Sequence, residues 1–283
     1  MDSVIAVDVG GTFMKGGLVA RDGTILHHER WPTPRSEGPD RVIAAISGFV
    51  DHLGTLARPV AVGLAVPGLV SGDTAVYSAA FGWRDVPAAA FTAVGLPVAL
   101  GHDVRSAGEA ELAYGWSGEN VLFLPIGTGI AGAVVLNGTL YGGAKGWAGQ
   151  IGHIPVWPDG LPCSCGQLGC LGAYASASAI ARRAGETSAA EVARRTDPFA
   201  VQVWGEAVEA LAVALATYVL VADPSMIVIG GGLAQAADAL VVPLRERLAA
   251  RLAFREPPPV EVSALGVEAG MLGAALLAWR LDL

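Results

Sequence analysis

The sequence predicts an α/β protein of two related lobes with a cleft between them. Three observations predict it: the apolar run Val4 to Val9 breaks at Gly10-Gly11-Thr12, Val121 to Ile126 breaks at Gly127-Thr128-Gly129, and Met226 to Ile229 ends in Gly230-Gly231-Gly232. Glycine lets backbone amides approach a ligand closely, and ligands of open α/β sheets sit at the carboxyl ends of strands.

Each element follows in order. Val4 to Val9 reads as a strand, Gly17 to Ala20 as its partner before the Asp22-Gly23 turn, and Ile25 to Trp31 as a third strand. Val42, Ile43, Ile46, Phe49, Val50 and Leu53 share one helical face, and a strand at Val60 to Val66 stops at Pro67-Gly68. Pro97 to Leu100 reads as a strand opening a helix. The same order restarts at Val121 to Ile126, continues through Gly132 to Leu136, and turns at Asn137-Gly138 into Thr139 to Tyr141. Helical stretches near 175–185 and 199–222 precede the strand at Met226 to Ile229. The expected lobes are residues 1–115 and 116–266, the second carrying a cysteine knuckle; periodicity leaves open which of them the last helix, about 267–283, joins.

Composition excludes several classes. With 283 residues and 53% apolar content the chain can fill a large core. A net charge of -8 and only two lysines, Lys15 and Lys145, argue against a nucleic-acid surface, and a strand at the start leaves no room for a leading helix-turn-helix. The longest apolar run, Leu211 to Ala222, falls short of the roughly 20 residues of a membrane span. No secretion signal is read at the start, so a soluble protein of the reducing cytoplasm is expected, with no nucleic-acid and no membrane partner.

Three glycine clusters at three strand ends favour a nucleotide site over ordinary tight turns, with Thr12 and Thr128 as added hydroxyl donors. Asp8, at the end of its strand, would be repelled by phosphate without an intervening cation, so it is expected to hold Mg2+ through water. Lys15 suits either a phosphate contact or the surface. The three cysteines stand as Cys163-Ser-Cys165-Gly-Gln-Leu-Gly-Cys170, ten residues after His153. Three thiolates and one imidazole make a tetrahedral zinc set of structural type; buried free thiols are the alternative.

These pieces, with Asp8-Val9-Gly10-Gly11-Thr12-Phe13-Met14-Lys15, Pro67-Gly68 and Ala148-Gly149-Gln150-Ile151-Gly152-His153 in order along the chain, resemble the ROK family of sugar kinases and related repressors. The resemblance implies the actin-like ATPase fold with two ribonuclease-H-like lobes, ATP and Mg2+ in the cleft, a homodimer, and Zn2+ on His153, Cys163, Cys165 and Cys170. It implies nucleotide contacts at Asp8, Gly10, Gly11, Thr12, Lys15, Gly127, Thr128, Gly129, Gly230, Gly231 and Gly232. Sugar contacts are implied at Gly68, His102, Asp103, Gln150, His153 and Gly172, with Asp103 as the base that takes the hydroxyl proton. A helix N-cap is the other role an aspartate suits there.

The chain departs from the pattern at His102 in place of Asn, Gln150 in place of Glu, and Gly172 in place of Glu. Losing charge-assisted hydrogen bonds at about 1.5 to 3 kcal/mol each weakens a glucose pocket. The expected substrate is therefore a hexose-like molecule altered near the anomeric end, with glucose or mannose as the alternative. A sugar-binding regulator is the competing class. ATP is the expected donor over polyphosphate, for want of a basic channel.

Overall fold

The computed structural model describes residues 2–282, which form two compact units: the chain up to Gly115 together with Glu268 onward, and Trp116–Val267. In unit 1, β1 (Ser3–Val9), β2 (Phe13–Ala20) and β3 (Ile25–Pro32) form an antiparallel meander, followed by α1 (Pro39–Leu56) and β4 (Val62–Val66). A small antiparallel sheet of β5 (Leu69–Ser71), β6 (Thr74–Tyr77) and β7 (Arg84–Pro87) comes next, then β8 (Val98–His102) and α2 (Asp103–Tyr114). The main sheet has the order β3-β2-β1-β4-β8, and β1, β4 and β8 run parallel.

β1 is central and covered on both faces, which is why its sequence is a continuous apolar run rather than an alternation. β3 lies at the sheet's edge and alternates half-buried with exposed residues. Its inward Trp31 stacks on Phe49 of α1 with ring centroids 4.8 Å apart. α1 starts at Pro39, a residue preorganised for the first helical turn, directly after Gly38 at φ 92°.

Unit 2 repeats the pattern. β9 (Val121–Pro125), β10 (Ala133–Leu136) and β11 (Thr139–Leu140) form a meander turned by Asn137 and Gly138, both at positive φ. Then come α3 (Leu171–Ala175), α4 (Ala177–Ala184), α5 (Ala189–Arg194), α6 (Pro198–Ala222), β12 (Met226–Gly230), α7 (Asp238–Arg251) and β13 (Val260–Val262). The sheet order is β11-β10-β9-β12-β13, with β9, β12 and β13 parallel. The helical stretch expected near 175–185 is divided at Ser176, whose hydroxyl caps α4 by accepting from the Ala179 amide at 3.2 Å.

α6 is capped by Asp197, which accepts from the Ala200 amide at 3.1 Å, and starts at Pro198. By length and composition alone it is long and apolar enough to cross a membrane, because the average is taken across Glu206 and Glu209, whereas the apolar run read from sequence stops at Glu209. One side of it, including Val203, Ala207, Leu211, Leu215 and Val219, lies in the unit 2 core. α7 contains Pro243, which cannot donate to the carbonyl four residues earlier; that carbonyl, on Ala239, instead accepts the Trp204 indole N–H at 3.0 Å.

The last helix, α8 (Ala269–Trp279), belongs to unit 1, where it packs on β1, β4 and α2. It is apolar nearly all round because it is buried nearly all round, so periodicity marks no single face. Its seat is built of glycines. A Cβ on Gly63 would strike the Ala274 carbonyl, one on Gly273 would strike the Ser106 carbonyl, and one on Gly270 would strike the Asp8 carboxylate.

Candidate active site

Because β1, β4 and β8 are parallel neighbours, their carboxyl ends share one edge of the unit 1 sheet. That edge brings together Asp8 with the Gly10-Gly11-Thr12 turn, Pro67-Gly68, and His102-Asp103, which lie far apart in sequence. The turn is held in an unusual way. Gly10 N–H donates to the Phe13 carbonyl at 3.1 Å, Thr33 Oγ1 donates to the Gly10 carbonyl at 2.8 Å, and Thr33 N–H donates to the Thr12 carbonyl at 3.0 Å. The carbonyls are thus drawn back into the protein while the Gly11 and Thr12 amides have no partner among the described residues. Consecutive unpaired amides of this kind form an anion-binding concavity.

Asp8 sits beside that turn with one oxygen 3.6 Å from Lys15 Nζ, its cross-strand neighbour. Lys15 therefore faces Asp8 rather than bulk solvent. Burial against α8 pushes the Asp8 carboxyl up to about 6; Lys15 opposes the shift, and the charges of Asp103 and Glu268 reinforce it. A carboxylate that is mostly but not fully buried, beside Lys15 and next to amides that suit an oxyanion, fits a cation that bridges the two.

Asp103 is the first residue of α2, and the N-cap is His102. This differs from the N-cap role set out above for Asp103, because β8 continues through His102 before the helix starts. Asp103 Oδ1 accepts the Val104 N–H at 2.7 Å and lies 3.2 Å from His102 Nδ1. His102 Nδ1 itself accepts the Arg105 N–H at 3.5 Å, so Val104 is the donor to Oδ1, and Oδ2 is left open among the described residues. His102 is held below the usual imidazole range by burial, with Asp103 pulling the other way. Gly68 has φ 109°, and a Cβ there would run into the Tyr77 carbonyl, so only glycine fits between β4 and β6.

In unit 2, β9 and β12 are parallel neighbours and again share an edge. Ile126 joins their two glycine clusters: its N–H donates to the Gly230 carbonyl at 2.9 Å, and its carbonyl accepts from Leu233 N–H at 3.0 Å. The carbonyls of Gly127 and Thr128 are taken by Ala177 N–H and Ser178 Oγ, at 2.8 and 2.6 Å, so this loop too is pulled back by its oxygens. Space is open at the Cβ positions of Gly127, Gly129 and Gly232, while Gly231, at φ 75°, lies against Ile126. Gln150 precedes the 3-10 turn Ile151–His153, and a Cβ on Gly172 would meet only the Gly152 backbone, with its carbonyl oxygen 3.2 Å away.

The same turn carries the imidazole of the cysteine cluster. His153 Nδ1 is 3.7 Å from Cys163 Sγ, Cys165 Sγ is 3.7 Å from Cys170 Sγ, and the four ligand atoms lie within 4.8 Å of one another. All three cysteines are free thiols. Burial, together with the neighbouring thiols, pushes Cys170 up to about 12, whereas Cys165 is lowered by the Gln167 amide. Three thiols this close ionise together only around a cation, so the donor set fits a tetrahedral metal.

Sequence reasoning did not single out Thr33 or Gly270. The signal for Thr33 is its place in Pro32-Thr33-Pro34, immediately after a strand. For Gly270 no local signal exists, because its partner is Asp8 at the other end of the chain.

A family model described as the ROK family matches residues 4–280. The chain belongs to the ROK family. This ROK protein is 33% identical to a glucokinase of Halalkalibacterium halodurans, over 96% of this chain and 94% of the relative. It is 32% identical to an N-acetylmannosamine kinase of Shigella flexneri, over 98% of each chain. Among solved structures, a ROK family glucokinase from Streptomyces griseus in complex with glucose and AMPPNP superimposes with a TM-score of 0.88 at 29% identity, covering 99% of this chain and 100% of that one. The fold of this ROK protein is accordingly the two-lobed, mixed α/β fold of the actin-like ATPases.

Proposed function

We propose that this ROK protein is an ATP-dependent sugar kinase that transfers the γ-phosphoryl group to a primary hydroxyl of a hexose or hexose-like substrate. The observation that carries the reading is the shared strand edge of unit 1, where the open oxygen of Asp103 and the unpaired amides of Gly11 and Thr12 lie on the ends of one parallel set. Near-full-length likeness to glucokinases and an N-acetylmannosamine kinase supports it.

In this reading Asp103 accepts the hydroxyl proton through Oδ2 while the Val104 amide holds Oδ1. The Gly10-Gly11-Thr12 turn binds the donor's phosphates, with Lys15 keeping Asp8 oriented. Mg2+, when bound, neutralises charge on the phosphoryl oxygens; Asp8 is the residue that would hold it. Gly127, Thr128, Gly129, Gly230, Gly231 and Gly232 are assigned to the nucleotide. Gly68, His102, Gln150, His153 and Gly172 are assigned to the sugar. His153, Cys163, Cys165 and Cys170 would hold Zn2+ in a structural role, and a cytoplasmic homodimer is proposed for the whole enzyme.

Gln150 and Gly172 support a substrate altered near its anomeric end: an amino or acylated sugar, a glycoside or a cyclitol. Coupled ADP release with Mg-ATP against hexoses, amino sugars, N-acetyl sugars and cyclitols tests both levels. A single preferred substrate, lost in Asp103→Asn, is the expected result. Glucose preferred by tenfold would overturn the altered-substrate reading, and no turnover of any sugar by a protein that binds ATP would favour a regulator.

A further inference from the structure

Residues 33–36 follow β3 and fold onto the hairpin turn through the two Thr33 hydrogen bonds to Gly10 and Thr12. Gly11, Thr12, Thr33, Arg35 and Ser36 together line an open cavity of about 460 Å3 within unit 1. Among the described residues, Arg35 is the only charged one on that wall. Its guanidinium has no hydrogen bond, ion pair or ring contact among the described residues, and the nearest acidic side chain in sequence, Glu37, is already paired with Arg41 at 3.2 Å. The adjoining segment is stiff: Pro32 and Pro34 limit the backbone on either side of Thr33, with Pro34 at φ -79°. In a chain with a net charge of -8 and two lysines, an uncompensated guanidinium beside two unpaired amides and three hydroxyl side chains makes a site for an oxyanion.

We propose that Arg35 is a phosphate-binding residue of this enzyme, contacting the outer phosphates of the nucleoside triphosphate from the segment that Thr33 clamps to the hairpin turn. The inference rests on the reading of that turn as the donor's phosphate site. Arg35 matches the geometry of a phosphate with a planar fork of donors, a capacity that a lysine ammonium lacks. It adds to the positive charge of Lys15, which is shared with Asp8.

Titration calorimetry of the full chain with Mg-ATP and with AMP, for wild type, Arg35→Ala and Arg35→Lys, tests the assignment. Loss of a charge-assisted phosphate contact predicts about tenfold to a hundredfold weaker ATP binding in Arg35→Ala, AMP binding unchanged, and partial recovery in Arg35→Lys. The melting temperature without nucleotide should not move, and in turnover the KM for ATP should rise while that for the sugar stays constant. ATP affinity within twofold of wild type, or an equal loss for AMP, overturns the role of Arg35 alone. A wild-type protein that binds neither nucleotide overturns the phosphate-site reading of the turn, and this inference with it.

Discussion

At Asp103 the two carboxylate oxygens are made unequal by their neighbours: Oδ1 takes the Val104 amide and faces His102, and Oδ2 takes nothing. In the proposed role as base, such a carboxylate would be aimed before substrate arrives. Asp103→Asn keeps the shape and removes the proton acceptor, so kcat should fall by about 10^2 to 10^4 while Mg-ATP affinity, measured by titration, stays near wild type. Equal turnover in the variant would remove Asp103 from the chemistry. Asp8 presents a different case, since its carboxyl is raised from 3.8 to about 6, with burial the largest cause. Between those pH values the native state holds a proton that the unfolded chain has released, so stability falls as pH rises through the window and the full cost is present above it. Relative to Asp8→Asn, the metal-free wild type should therefore lose on the order of 2 kcal/mol between pH 4 and 6 and nothing further above pH 7. Urea unfolding of both proteins across that range checks it; a pH-independent difference would show that Asp8 is not desolvated.

Among the elements, α8 packs closely enough to need glycine at three contacts. Gly63, Gly270 and Gly273 let its backbone lie against β4, Asp8 and α2, at distances where a single methyl group has nowhere to go. Gly273→Ala should cost about 1 to 3 kcal/mol in chemical unfolding, because the Ser106 carbonyl it would strike belongs to the start of α2 and gives way only by shifting that helix. As α2 also carries Asp103, a drop in kcat should accompany the loss. α7 shows the converse, a defect repaired from outside: Pro243 deprives Ala239 of its helical donor and Trp204 of α6 supplies another. Trp204→Phe should destabilise unit 2 by about 0.5 to 1.5 kcal/mol, the net worth of a hydrogen bond to a carbonyl that water can reach, and Pro243→Ala in the same background should recover much of the loss by restoring the helical bond. A Trp204→Phe variant as stable as wild type would mean the indole bond contributes nothing net.

For the whole molecule, the same strand pattern is used twice, a meander followed by parallel strands, and in each copy the first strand runs into a glycine turn whose carbonyls are tied back. The cysteine cluster joins the turn at His153 to the loop that runs from Cys163 to Cys170, two segments with little regular structure of their own. Removing a metal from such a cluster should lower the melting temperature, by several degrees for a loss of a few kcal/mol, and one equivalent of zinc should restore it. Elemental analysis of the freshly purified protein should find near one zinc per chain; a value below about half, with unchanged melting after chelation, would leave the buried-thiol alternative.

Much of this was legible without coordinates because it is written in short-range order. Strand ends at Gly10, Gly127 and Gly230 follow from where apolar runs stop, the Asn137-Gly138 turn from its need for positive φ, and the cysteine cluster from the spacing of His153 and the three cysteines. Asp103 was singled out by resemblance, yet its place one residue inside the helix depended on β8 running as far as His102. Other features depend on sheet order and long-range approach, which no local period encodes. That Asp8, Gly68 and Asp103 share an edge follows from β1, β4 and β8 lying side by side. That α8 belongs with the first strands, that Gly270 makes room for Asp8, and that Thr33 ties back the turn beside Arg35 are contacts between residues far apart in the chain. The sequence by itself determined which chemistry the chain carries, since residue type and spacing set that; only the tertiary structure decided which groups meet, because hydrogen-bonded register and close packing bring distant segments together.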